Sequence, residues 1–370
     1  MPTLNLPTAG GTLAPYTTQA PKAFPAVTAP FNRVAYAAAH VVADPLADND
    51  PWLAPAIDWD RTVAFRKYLW SLGLGVAEAM DTAQRGMGLD WPTSLELIRR
   101  SLEAAKTEPG AVIASGAGTD HLAPGPDVTV DDVIRAYEEQ CAARHQNDAP
   151  ADYAKVYGRI LRNVKEAVII HWLGEMFDPA LAGYWGHADH NDAMAVAVDV
   201  ITDNAAKVDG VKISLLDKDK EIAMRRRIPQ GVRMYTGDDF NYAELIAGDA
   251  QGYSDALLGI FDAIAPAAAA ALGALARGEQ ATFHDILRPT VALSRHIFRT
   301  PTRFYKTGVV FVAYLNGLQD HFIMVGGQES ARSTLHLADL FRLADAAGLL
   351  RDPEDATARM RTVLATRGIH

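Results

Sequence analysis

AVIIHW at residues 167–172, DAMAVAVDVITDNAAK at 192–207 and GVKISLL at 210–216 read in succession as strand, helix and strand. Both apolar runs are continuous, not alternating, as expected of strands buried on both faces. A helix linking two such strands makes a βαβ unit with the strands parallel. The same alternation extends in both directions. RVAYAAAHVV (33–42), GVAEAM (75–80), AVIASGAG (111–118), GVRMYTG (231–237) and GYSDALLGI (252–260) read as further strands. Helices are expected over 58–73, over 93–106 with Thr93 or Ser94 as cap, and over 130–144, 151–164 and 241–249. Seven strands and a helical tail predict an α/β fold, a (β/α)8 TIM barrel over 31–265 with a C-terminal helical extension over 266–370 packed on it. The fourth barrel strand is not readable, because only HQNDAP (145–150) lies where it belongs. A doubly wound open sheet is the rival, but no G-x-G-x-x-G follows the first strand.

The composition agrees with one soluble enzyme-sized chain. Of 370 residues 49% are hydrophobic and 22% charged, the profile of an ordinary globular protein. Lys and Arg number 35 against 45 Asp and Glu, a net charge of -10 that argues against nucleic-acid binding. The single cysteine, Cys141, excludes a disulfide framework and a cysteine-rich metal site. The apolar run from residue 265 is alanine-dominated and reads as a buried helix, so no membrane association is expected. The N-terminus lacks the pattern of a signal peptide, and a cytoplasmic location is expected. Residues 1–30 hold six prolines and read as an extended arm draped over the body or over a neighbouring subunit of a homo-oligomer.

In a barrel the reactive groups sit at the C-terminal ends of the strands. Those positions hold His40, Glu78, Asp81, Ser115, His171, Lys212, Asp238 and Asp239. Lys212 stands between Val211 and Ile213, and either faces solvent or points at the barrel axis. In an apolar barrel mouth desolvation would lower its pKa from ~10.4, giving a free amine able to attack a carbonyl.

VIASGAG (112–118), VIIHW (168–172), VDGVKIS (208–214) and MYTGDD (234–239), in this order, resemble the dihydrodipicolinate synthase / N-acetylneuraminate lyase family of Schiff-base-forming barrels. The resemblance spans residues 31–260 and implies Lys212 as the imine lysine, with Thr236-Gly237-Asp238-Asp239 at the seventh-strand turn. It departs from the family in three places. The second strand normally ends in G-T-T-G-E, which holds a keto-acid carboxylate, whereas this chain has Met80-Asp81-Thr82-Ala83-Gln84-Arg85-Gly86. Thr82 matches there, Asp81 would repel a carboxylate, and Arg85 would receive one. The proton-relaying tyrosine of the fifth strand is His171 here, and the paired tyrosines after strand four have no counterpart. The chain therefore reads as a distant branch acting on a different substrate.

An imidazole titrating near neutrality suits His171 to moving protons, although a core histidine bonded to a backbone carbonyl reads equally well. Trp172 either stacks on a sugar face or packs. Ser115 and Asp239 complete the expected substrate contacts, while Asp238 and Asp239 also read as caps of the following helix. The segment GEMFDPALAGYWGHADHND (174–192) is a long aromatic loop, expected to act as a lid or as a structured loop with Asp192 capping the next helix. The basic residues Arg295, His296, Arg299, Arg303 and Lys306 either reach an anionic substrate or a neighbouring subunit or are surface charge, and surface charge is the expected reading.

The leading expectation is a cofactor-free lyase of the class I aldolase type, with Lys212 and His171 catalytic and a small carbonyl compound, a sugar-derived keto acid or keto-sugar, as substrate. One alternative is a divalent-metal sugar isomerase or epimerase using Glu78, Asp81 and His171 with His187 or His190. Another is a barrel that binds a sugar acid without turnover.

Overall fold

The computed structural model describes residues 1–123, 125–142 and 153–370. Nine strands lie among the described residues. Strands β1 (Thr3–Pro7) and β2 (Leu13–Thr17) form an antiparallel hairpin. Strands β3 (Ala35–Ala38), β4 (Gly75–Glu78), β5 (Ile113–Ser115), β6 (Val168–Leu173), β7 (Val208–Ser214), β8 (Arg233–Thr236) and β9 (Asp255–Leu258) form one curled parallel sheet. Its order is β5-β4-β3-β9-β8-β7-β6. First and last strands of the set, β3 and β9, are neighbours, which is the closure of a (β/α)8 barrel. The sheet edges, β5 and β6, flank the place of the barrel's fourth strand. HQNDAP at 145–150, the segment expected there, lies outside the described residues.

The period of two divides each strand between two cores. Tyr36, Ala38, Ala77, Tyr235 and Leu257 meet inside the barrel. Ile170, Trp172, Val211 and Ile213 point the other way, onto Ala193, Met194 and Ala197 of the helix His190–Asp203. All four residues of β3, β4 and β9 are buried, as their unbroken apolar runs predicted. Helix starts are set by aspartates: Asp58 caps Trp59–Ser71 and Asp90 caps Trp91–Ala105, in place of the expected Thr93 or Ser94. Asp189 caps His190–Asp203 by accepting from the amides of Asn191 and Asp192, so Asp192 lies inside the helix it was expected to start.

The proline-rich arm is not simply extended. Leu4 and Leu6 of β1 bury into the core shared with the C-terminal helices. Tyr16 donates to Asp345 (2.7 Å) and Arg342 donates to the Pro7 carbonyl (2.8 Å), which ties the hairpin to the helix Thr334–Ala346. TLNLP and the turn after it are too short to outweigh six prolines when read alone. After β9 the described chain is helical, and its helix Tyr305–Leu315 is buried along its whole length. No helix among the described residues is long and apolar enough to cross a membrane. That buried helix presents its first two residues, Tyr305 and Lys306, to the C-terminal ends of the barrel strands.

Candidate active site

Strand β7 carries Gly210, Lys212 and Ser214 on the barrel-facing side, because Val211 and Ile213 are taken by the helical layer. Lys212 is only 8% exposed. Burial lowers its pKa, opposed by the nearby charges of Asp239 and Asp81. His171 of β6 lies directly across the ladder from Lys212. Burial and the lysine's charge hold the imidazole well below its ordinary value, so it is neutral. His171 Nε2 and Ser214 Oγ share a hydrogen bond of 3.1 Å.

The turn after β8 brings in Asp239. Its carboxyl accepts from the Ile260 amide (2.9 Å), and its carbonyl accepts from Ser294. Burial raises the Asp239 pKa, while the Ile260 hydrogen bond and Lys212 pull it down. Both members of the Lys212–Asp239 pair are thus displaced towards their neutral forms. Asp238, not Asp239, caps the turn, accepting from the Phe240 and Asn241 amides. Gly237 is needed for close approach, since a Cβ there would lie 2.7 Å from Lys212 Cε and from the Ile213 carbonyl and would overlap Ser214 Oγ. Gly237→Ala is therefore expected to destabilise the fold by ~1–3 kcal/mol through overpacking and to displace the amine. The check is a lowered denaturation midpoint together with slowed reaction of Lys212 with carbonyl compounds.

Beyond β4 the chain turns through Ala79, whose φ of 50° is unusual for a residue with a side chain. This turn delivers Asp81 and Thr82. Thr82 Oγ1 shares a 2.8 Å hydrogen bond with the Tyr305 hydroxyl. Asp81 pairs at 2.6 Å with Lys306, whose side chain is nearly inaccessible. Burial keeps Tyr305 protonated, its pKa raised well above the ordinary phenol value. Gly259, after β9, leaves room for these groups: a Cβ there would stand 3.1–3.3 Å from Phe298, Tyr305 and Thr82.

Lys212, His171, Asp239, Asp81 and Thr82 therefore gather at one end of the barrel. Three other residues expected at the site do not act as anticipated. Arg85 is already engaged: it holds Asp120 (Nε, 2.9 Å), Gln140 (2.7 Å) and the carbonyls of Ala79 and Gly116 (3.1 Å each), clamping two loops together. Trp172 packs outwards against Trp185 and the helical layer, because the neighbouring His171 takes the inward position. Ser115 lies opposite Glu78 in register, on the face that Glu78 turns to the helices, with its hydroxyl buried and unpartnered among the described residues. The metal set also disperses. Glu78 is buried against Arg66, His190 lies 3.3 Å from Glu175, and His187 is exposed. No group of three or more His, Cys, Asp or Glu residues placed to hold a metal occurs among the described residues. Ser214 and Tyr305 are site residues that the sequence reading passed over, and Lys306, read there as surface charge, is instead buried against Asp81, because it heads a helix that is buried along its whole length.

A family model described as "Protein of unknown function (DUF993)" matches residues 4–369. The chain belongs to the DUF993 family. No curated protein matches it in sequence. Solved structures do share its architecture. The 4-hydroxy-tetrahydrodipicolinate synthase of Methylacidiphilum fumariolicum is 12% identical at a TM-score of 0.61, covering 90% of this chain and 99% of its own. A dihydrodipicolinate synthase of Bacillus anthracis is 14% identical at a TM-score of 0.58, covering 91% and 99%. The Acinetobacter baumannii dihydrodipicolinate synthase, solved with pyruvate, is 15% identical at a TM-score of 0.57, covering 86% and 99%. The DUF993 chain thus has the dihydrodipicolinate synthase fold, a TIM barrel with a C-terminal helical extension.

Proposed function

We propose that this DUF993 protein is a Schiff-base-forming lyase of the class I aldolase type acting on a hydroxylated carbonyl compound. The observation that carries the proposal is the Lys212 amine, buried on the barrel side of β7 across the ladder from neutral His171 and within the field of Asp239, whose pKa burial raises to about 7. The free amine is the nucleophile and the protonated carboxyl the acid, and burial shifts each group towards that form. Lys212 adds to the carbonyl carbon, and one amine proton passes to the new oxygen to give the carbinolamine. Asp239 then protonates the departing hydroxyl, which leaves as water. The resulting protonated imine stands beside the Asp239 carboxylate.

From there the imine is an electron sink. His171, kept neutral, takes the proton of a hydroxyl on the β carbon, the second carbon out from the imine carbon. The C–C bond then breaks, and its electron pair forms the enamine on Lys212. Protonation of the enamine carbon and hydrolysis by water release the second product and the free amine. Ser214 holds the ring of His171 in place for this transfer. A small-molecule substrate with a carbonyl and a hydroxyl on its β carbon is all the cleavage requires.

Borohydride reduction in the presence of hydroxyaldehydes, hydroxyketones and 2-oxo acids tests the proposal. The expected result is a mass adduct confined to the peptide bearing Lys212. An adduct on other lysines only, or none across the whole panel, overturns it.

A further inference from the structure

We propose that the reacting end of the substrate is uncharged, a hydroxyaldehyde or hydroxyketone and not a 2-oxo acid, and that the Asp81–Lys306 pair sets this choice. The inference rests on the imine role of Lys212 and adds the substrate class.

In a 2-oxo acid the carboxylate is bonded to the very carbon that Lys212 attacks. It must therefore lie beside the lysine, among whatever groups surround the amine. The charges that act on Lys212 are those of Asp239 and Asp81, both acids. Among the described residues, the cations set around β4 and the loop after it are already committed. Lys306 is held by Asp81 at 2.6 Å, and Arg85 by Asp120, Gln140 and two carbonyls. Arg66 donates two bonds of 2.8 Å to Glu78 on the far face of the sheet. A substrate carboxylate would lie beside the Asp239 carboxylate left when the imine forms, and would have to displace Asp81 from its buried lysine to find a countercharge.

A neutral polyhydroxyl end meets complementary groups in the same place. The Asp81 side chain keeps 36% of its surface exposed, so it can accept from a substrate hydroxyl beside its contacts with Lys306 and Tyr305. Ser214 and Thr82 supply hydroxyls, each able to donate and accept. The pair joins distant segments: Lys306 reaches the site from the first turn of a helix in the C-terminal extension, while Asp81 comes from the loop after β4.

Competition between dihydroxyacetone and pyruvate for borohydride trapping at Lys212 tests the inference in the full-length protein and in Asp81→Asn. The wild type is expected to trap dihydroxyacetone in preference to pyruvate by at least ~10-fold. Asp81→Asn is nearly isosteric and frees the Lys306 ammonium, so it should move that ratio towards pyruvate by a factor on the order of ten. Wild-type protein that traps pyruvate equally well or better overturns the inference and leaves the imine role of Lys212 standing, as does an unchanged ratio in Asp81→Asn. No adduct at Lys212 with either probe, or with longer hydroxyketones, removes the imine role and this inference with it.

Discussion

Lys212→Met is expected to abolish imine formation and to lower any lyase activity by at least ~10³-fold, while the fold loses no stability. The two outcomes have one cause. An amine that is 8% exposed and surrounded by strand backbone is costly to bury as an ammonium, and methionine fills similar space without that cost. The pH dependence separates this from a general structural effect. Between its lowered value in the folded protein and the ordinary 10.5, Lys212 is protonated in the unfolded chain and not in the folded one. The unfolded state binds more protons there, so wild-type stability rises with pH across that interval, and Lys212→Met loses this contribution. Asp239 works in the opposite sense. Its raised value means that the folded state holds the extra proton above the usual carboxylate range, so stability falls as pH rises through that window in both proteins. Denaturation midpoints measured across pH in wild type and variant check both signs. A variant that still forms an imine, or whose pH profile matches the wild type, contradicts the assignment.

Much of this architecture is legible in the sequence because parallel strands buried on both faces leave unbroken apolar runs. GVAEAM, VIIHW and GVKIS each contain a strand of the sheet. Lys212 stands out for the same reason, as a charge inside such a run. Alternation also carries information that single-residue inspection misses. If His171 faces the barrel interior, Trp172 must face the helices, and the inward side of Ala77 sends Glu78 outward. Those two orientations follow from the strand period, and they remove Trp172 and Glu78 from the site.

Contacts between distant segments leave no such mark. Arg85 meets Asp120 and Gln140 across loops from different βα units, and nothing local to Arg85 indicates that it is already paired. Lys306 reads as one more basic residue beside Arg299 and Arg303. The usable signal was its helix: YKTGVVFVAYL is apolar throughout after its first turn and carries no acid. A lysine heading a fully buried helix needs a carboxylate from elsewhere, and Asp81 is the residue that supplies it. The hairpin at the N-terminus is similar, since Leu4 and Leu6 alternate as a strand should but only the C-terminal helices give them a surface to bury.

Glu78→Ala is expected to destabilise the protein by ~3–5 kcal/mol, the usual cost of leaving one member of a buried ion pair behind. Arg66 and Glu78 have wholly inaccessible side chains. The carboxylate accepts from Arg66 Nε and Nη2 at 2.8 Å, from Ser101 Oγ at 2.5 Å and from the Ala79 amide at 2.8 Å. Arg66 also donates to the carbonyls of His40, Thr62 and Ala39, so one guanidinium ties the ends of β3 and β4 to the helix Trp59–Ser71. Removing the carboxylate strands a charge that no water reaches. Removing both charges does not, so Arg66→Met combined with Glu78→Met should recover much of the loss, and the non-additivity measured by the double-mutant cycle reports the pairing itself. The pair also governs the site at one remove. Glu78 anchors the amide of Ala79, the left-handed residue from which the chain turns to place Asp81 beside Lys306 and within the field of Lys212. Glu78→Ala should therefore weaken discrimination between neutral and acidic carbonyl compounds in whatever fraction stays folded, because Asp81 loses its fixed approach. A metal-ligand role for Glu78 predicts something different: a stoichiometric ion in the purified protein that Glu78→Ala loses. Elemental analysis of the two proteins, set beside their denaturation midpoints, decides between an anchor and a ligand.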